Sequence, residues 1–299
     1  MKKTEKRETK MQTAEIVKNN IRSRLQEMIE SRHELLNHAN FLSSLGVEIK
    51  DNRLHLCRCF ESVAKTYIDS LCQKLTQEHA NGTPAKIKID PELYCIIGGR
   101  TASRALSLLF NNADDYSLDD EKSLIDKYLD QIDFECIADE IITQAAQLKD
   151  AGVGIFACQI IDQMNLSNLD GYYSPYRKNS RIICKTWAFN YLHNHSEISK
   201  LETLKNAFNA IEEDAGITFG SSISEYISAA GKLHWKCEKI PSRTIFGKGG
   251  HLEIHCFKDK HEYRFSSQAF DVLMAFLTIN GKSDVVDNIM EKTDLMAAA

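Results

Sequence analysis

Between residues 246 and 257 the chain reads Phe246-Gly247-Lys248-Gly249-Gly250-His251-Leu252-Glu253-Ile254-His255-Cys256-Phe257, with a titratable group at 251, 253 and 255. Side chains of a β-strand alternate between faces, so His251, Glu253 and His255 point one way while Leu252, Ile254 and Cys256 point toward a core. Three readings fit this row. It is an ordinary half-buried strand with a solvated face, a metal site, or an acid–base site. A metal would use His251 and His255, with Glu253 or the distant His234 as a third donor. Without metal, Glu253 activates water or stabilises positive charge, and a histidine donates to a leaving group. Cleaving the glycosidic bond of a nucleotide needs at least one carboxylate opposite the developing oxocarbenium, and Glu253 and Asp170 are the candidates. The catalytic set carried forward is Glu253, Asp170, His251 and His255, with no metal and no cofactor.

Two stretches have the composition of a DNA-binding surface. Residues 172–187 hold Tyr172, Tyr176, Arg177, Lys178, Arg181, Lys185 and Trp187 with no acidic residue among them. Aromatic rings stack on unstacked bases and neighbouring cations meet phosphates. The alternative is a solvated loop whose tyrosines pack on the body of the protein. Upstream, Gly152-Val153-Gly154 lies between two helical patterns. Gly152 and Gly154 would let the backbone approach a phosphate, and N–H groups opening the second helix would receive its charge. The alternative there is a simple helix break. Catalysis on DNA requires grip and carboxylate in one concavity, which predicts that Arg177, Arg181 and Lys248 share a groove with Glu253.

These residues sit in a chain of net charge −5, which argues against an indiscriminate polyanion binder. The average hides a segregation: residues 111–150 are strongly acidic, whereas 172–187 and 231–264 are net basic. The hydrophobic share of 43% and charged share of 26% fit a soluble globular protein. No apolar run approaches the roughly 18 residues needed to span a membrane, so no membrane partner is expected. The basic N-terminus has no apolar stretch behind it and does not read as a secretory signal. Nine scattered cysteines, an odd number, suit reduced thiols in the cytoplasm. Only Cys57 and Cys59 lie close together and no second pair at zinc-site spacing follows, which argues against a structural zinc site. Phosphate-loop, dinucleotide and serine-hydrolase motifs are absent.

The elements that must position these groups read as an α+β fold: a mainly helical body with a small C-terminal antiparallel meander and a covering helix. Apolar periodicity predicts helices at 11–46, 54–77, 100–110, 118–130, 134–150, 155–164 and 197–213. Alternation predicts strands around 233–237, 244–246, 251–257 and 263–265, with a tight glycine turn at 247–250 and a helix at 266–277. The expected organisation is a flexible 1–10, a helical domain over 11–230, the meander and its helix over 231–281, and a loose tail at 282–299.

The hairpin Lys248-Gly249-Gly250-His251-Leu252-Glu253-Ile254-His255 resembles the domain-of-unknown-function family 4942 of bacterial mobile elements, with weaker similarity through Arg181-Ile182-Ile183 and Trp187-Ala188-Phe189. The turn between Lys248 and His251 is shorter than the family's. Members look like cargo of mobile elements, some joined to adenine methyltransferases. The resemblance implies a setting of DNA modification or phage defence and assigns no reaction. Residues 148–161 are similar to the helix-hairpin-helix of DNA glycosylases, which hold one strand while flipping the target base. Phe156 stands where lyase members carry lysine, and Asp170 falls about four residues short of the expected aspartate. The function expected is therefore a monofunctional DNA glycosylase acting on a modified base. The alternative is a DNA-binding accessory or host-protein inhibitor without catalysis.

Overall fold

The computed structural model describes residues 2–47, 56–95, 117–167, 172, 174–187, 195–218, 220–234 and 240–295. The fold is α+β, with eight helices and one five-stranded antiparallel sheet among the described residues. It divides into two compact units, Met1–His79 with Lys86–Leu148 and Ala80–Ala85 with Lys149–Ala299.

The first unit is helical. It contains α1 (Lys2–Ser44), α2 (Leu56–His79), α3 (Leu118–Leu129) and the start of α4 (Phe134–Gln163). In α1, buried Ala14, Val17, Ile21, Leu25 and Ile29 recur at spacings of three and four, one stripe of a helix. They share the unit's core residues with Phe60, Ile68, Leu124 and Tyr128, and the Phe60 and Tyr128 rings meet edge to face at 5.4 Å. Ser117 starts α3 with a reciprocal capping box to Asp120. Buried Glu121, in the first turn of α3, is ion-paired with Arg32 of α1 and lies 3.2 Å from His33 Nε2. The expected flexible N-terminus is instead the start of α1, because residues 2–10 are mostly lysine, glutamate and arginine, good helix formers continuous with the periodic stretch. The helix expected at 100–110 lies outside the described residues.

The second unit carries the sheet, in the order β1-β2-β5-β4-β3. Its strands are β1 (Tyr176–Lys178), β2 (Arg181–Trp187), β3 (Ile245–Phe246), β4 (Leu252–Cys256) and β5 (Lys260–Ser266). Helices α5 (His195–Ala215), α6 (Gly220–His234), α7 (Ser267–Ile279) and α8 (Ser283–Leu295) complete it. One face of the sheet is apolar: Ile182 and Cys184, Leu252, Ile254 and Cys256, and Tyr263 and Phe265 pack with Phe208, Ile223, Phe270 and Leu273. Burial alternates along β4, as period-two patterning requires.

The second unit differs from the expected meander and its boundaries in four respects. Residues 176–187 are not a loop but a hairpin, and β2 pairs with β5 along its whole length, from Arg181 opposite Ser266 to Trp187 opposite Lys260. The apolar residues Ile182, Ile183 and Cys184, set among cations, suit an interior strand paired on both edges. The second unit accordingly starts near Lys149, and no boundary falls at 231. The strand expected at 233–237 is replaced at its start by the end of α6, and 235–239 lie outside the described residues. Residues 283–295 of the expected tail form α8, anchored by buried Val286, Ile289 and Thr293.

The glycine pair also differs. Residues 152–154 lie inside α4, which runs unbroken from Phe134 to Gln163. Two interior glycines cost roughly 1 kcal/mol each relative to alanine. Burial of Leu148, Phe156, Ala157 and Ile160 on either side outweighs that penalty. Gly152 is there for a close approach, since a Cβ would stand 1.9 Å from Thr83 Oγ1.

Candidate functional site

The candidate site is the polar face of the sheet, opposite the apolar core. Its composition follows from register: directly paired residues share a face. Lys178 pairs Arg181, Lys185 pairs Glu262, Glu253 pairs Arg264, and His255 pairs Glu262. The face therefore carries Lys178, Arg181, Lys185, Lys260 and Arg264 against Glu253 and Glu262.

Glu253 stands at its centre. Its Oε2 is 2.8 Å from His255 Nε2, and its Oε1 accepts from Gly249 N–H at 2.8 Å and from Arg181 Nη2 at 3.3 Å. Arg181 Nη1 also donates to the carbonyls of Gly250 and Arg264, at 2.9 and 3.2 Å. Partial burial raises the Glu253 carboxyl. The hydrogen bonds from His255 and Gly249 and the charge of Arg181 together outweigh it, so the pKa lies below the usual carboxylate value. Glu253 is thus an anion at neutral pH and accepts only, which makes His255 Nε2 the donor of their contact. A group held this way orients a base or stabilises a cation; it does not serve as a general acid.

Glu262 forms the second node. Its side chain is 5% exposed, with Lys260 Nζ at 2.8 Å and Arg264 Nη2 at 2.7 Å. Burial raises its carboxyl, and those two cations lower it further than burial raises it. Lys260, Glu262 and Arg264 follow the same period-two spacing as His251, Glu253 and His255. That alternation was the signal in the sequence that would have placed them on this face.

The aromatic end of the face is built around Lys185. Its Nζ lies 4.4 and 4.5 Å from the ring centroids of Tyr172 and Tyr176 and donates to the Tyr172 carbonyl at 3.0 Å. Lys260 Nζ lies 5.3 Å from the Tyr172 ring and 5.2 Å from Phe257. Tyr172 itself is 55% exposed.

The structure brings Arg181, Glu253 and His255 into one hydrogen-bonded group and sets Lys178, Lys185, Tyr172 and Tyr176 with the same sheet face or its edge. It separates others. His251 Nδ1 is 3.0 Å from Ser266 Oγ, the N-cap of α7, while His255 pairs with Glu253, so the two imidazoles have different partners. Among the described residues no group of three His, Cys, Asp or Glu side chains is placed to hold a metal ion. Arg177 pairs Ile182 in register and therefore points to the opposite face from Arg181, which corrects the expected shared groove. Lys248 is exposed in the turn that brings Gly249 N–H to Glu253. Gly152 is buried against Thr83 and cannot meet a phosphate, and Gly154 lies within the same unbroken helix. Asp170 and the side chains of Trp187 and His234 lie outside the described residues.

One histidine of this sheet was not singled out in the sequence. His261, on β5, faces the core, is 4% exposed and has its Nδ1 3.3 Å from Tyr226 Oη. Burial lowers its pKa to about 4.

Comparison of the chain with family models, curated proteins and solved structures gives no match, so neither resemblance noted in the sequence is shown by those comparisons. Among the described residues no helix is long and apolar enough to cross a membrane.

Proposed function

We propose that the protein acts on DNA, that the polar face of the sheet is its contact surface, and that Glu253 and His255 serve a hydrolase cleaving the N-glycosidic bond of a modified base. One observation supports this reading above the others. In a chain of net charge −5, this single face carries five cations against two carboxylates, beside the exposed ring of Tyr172. Such a surface attracts phosphates and offers a stacking ring to an unpaired base. A phosphate drawn to Arg181 would compete with Glu253 for the guanidinium. The released carboxylate would then face the sugar as an anion, stabilising the oxocarbenium, with His255 beside it to move a proton to or from water. The setting implied by the hairpin's resemblance is phage defence or mobile-element conflict.

The test is incubation with canonical and modified DNA followed by alkaline cleavage at abasic sites. Strand breaks that vanish in Glu253→Gln while DNA binding persists support the reading, and an absence of breaks on every substrate overturns catalysis. A second reading, a DNA-binding accessory or host-protein inhibitor without catalysis, is favoured by the three partners that already engage Glu253. An accessory would bind DNA with an affinity falling steeply with salt. An inhibitor would bind a protein with little salt dependence.

A further inference from the structure

The first unit contains a cavity of about 790 Å³ between α2 and the extended run at 86–90, a size that suits a ligand or a short chain segment. One wall is a single face of α2, where Lys65, Asp69, Cys72 and Thr76 succeed one another at spacings of three and four. The opposite wall alternates: Ile87 and Ile89 are buried, and Lys86, Lys88 and Asp90 are exposed. Two side chains hold this run extended. Ile87 N–H donates to Thr76 Oγ1 at 3.0 Å. Gln144 clamps Lys88, accepting from its N–H at 2.9 Å and donating to its carbonyl at 2.8 Å. The Gln144 amide takes the place that a neighbouring strand would occupy.

Successive peptide groups of an extended chain point to opposite sides. Lys88 turns its groups to Gln144 and Ile87 turns its N–H to α2, so those of Ile89 turn to the α2 side as well. Among the described residues, neither the Ile87 carbonyl nor the N–H and carbonyl of Ile89 has a hydrogen-bond partner. A strand edge with one donor and two acceptors that no described residue engages thus borders a cavity, the arrangement that accepts an added strand. The local charge selects its chemistry. Lys65 is paired with Asp69 at 2.8 Å, and Asp90 Oδ1 accepts from Glu92 N–H at 2.9 Å. Lys86 and Lys88 have no ion pair among the described residues, which leaves the rim positive.

We infer that this cavity takes an extended acidic peptide of another protein, which pairs as a strand with the Ile87 carbonyl and the Ile89 N–H and carbonyl and sets carboxylates across from Lys86 and Lys88. Alternate residues of that peptide would be acidic, since cross-strand neighbours share a face. The inference stands apart from the proposal for the sheet. Its test uses the full chain and a fluorescein-labelled, end-blocked hexapeptide of alternating Glu and Val, read by anisotropy. The comparison peptides are the Lys–Val counterpart and a Glu–Val version methylated on alternate backbone nitrogens. Saturable binding of Glu–Val alone is expected, with slower hydrogen exchange at the Ile89 amide. The double variant Lys86→Glu/Lys88→Glu changes only exposed side chains and should weaken binding about tenfold, the effect of losing two exposed ion pairs. Failure of Glu–Val to bind overturns the inference. So does equal binding of either comparison peptide, or an Ile89 amide whose exchange does not change.

Discussion

The two faces of the sheet are built from the same strands and solve opposite problems. On the core face His261 is kept neutral by burial, its ring edge-on to that of Tyr226 at 5.4 Å. On the polar face His255, opposite Glu262 in register, is paired with an ionised Glu253. The difference lies in how polar groups are satisfied. The inner face keeps its histidine uncharged by burial, whereas the outer face admits many charges and pairs them, along β4 and β5 and, through Arg181, across the sheet. Stability should therefore reside mainly in the inner face, and the outer face should tolerate loss of those charges that contribute only to ligand attraction.

The largest expected effect is from Phe265→Ala. The ring is fully buried, 6.1 Å from Phe208 and 6.2 Å from Phe270, so truncation removes transfer energy and opens a cavity. A loss of about 4 kcal/mol is expected in denaturant titration. A loss below about 1 kcal/mol would show that the apolar face does not hold the unit together.

Acid should act next, and through the inner face. The unfolded chain protonates His261 near its ordinary value of 6.5, while the folded chain resists until about 4. The unfolded state therefore binds the extra proton, and stability falls as pH drops from 6.5 to about 4, by about 3 kcal/mol in all. The lowered carboxyls of Glu253 and Glu262 contribute stability that is present above 4.5 and lost only below it, a separate window. His261→Phe keeps a ring beside Tyr226 and should remove most of the loss between pH 6.5 and 5. An unchanged acid profile in that variant would place the titration elsewhere.

This contrast was only half legible in the sequence. Alternation at 251–257 disclosed which residues of β4 face outward, because a strand's period is independent of its partners. It could not disclose the partners: Glu253 meets Arg181 across 72 positions of chain, and that contact depends on β5 lying between β2 and β4. Arg177 and Arg181 looked equivalent in a basic run, yet the two-residue turn between β1 and β2 puts them on opposite faces. The glycines at 152 and 154 failed as a turn signal for another reason. Glycine permits a break without requiring one, and here Thr83, some seventy positions away, sets the need for a missing Cβ.

A smaller effect is expected where the outer face is most enclosed. Glu262→Gln keeps the shape but leaves Lys260 and Arg264, both less than 30% exposed, without their carboxylate. About 2 kcal/mol of destabilisation is expected, below the full cost of a deeply buried pair because both cations reach solvent. Adding Lys260→Met should recover part of it in a double-mutant cycle. Strict additivity would mean that the two side chains do not interact.

The smallest expected change in stability is at Lys178. Lys178 is exposed at the end of β1, directly opposite Arg181, and makes no ion pair among the described residues. Lys178→Ala should shift stability by less than about 0.5 kcal/mol, as surface substitutions do. If the polar face meets DNA, the same change removes one phosphate contact. It should then weaken binding about equally across sequences and reduce the slope of log affinity against log salt by about one. A variant whose stability and salt slope both match the parent would leave Lys178 as a solvated edge residue and remove β1 from the contact surface. A large loss of stability would overturn the division of roles between the faces, because the outer face would then be carrying the fold through an exposed residue.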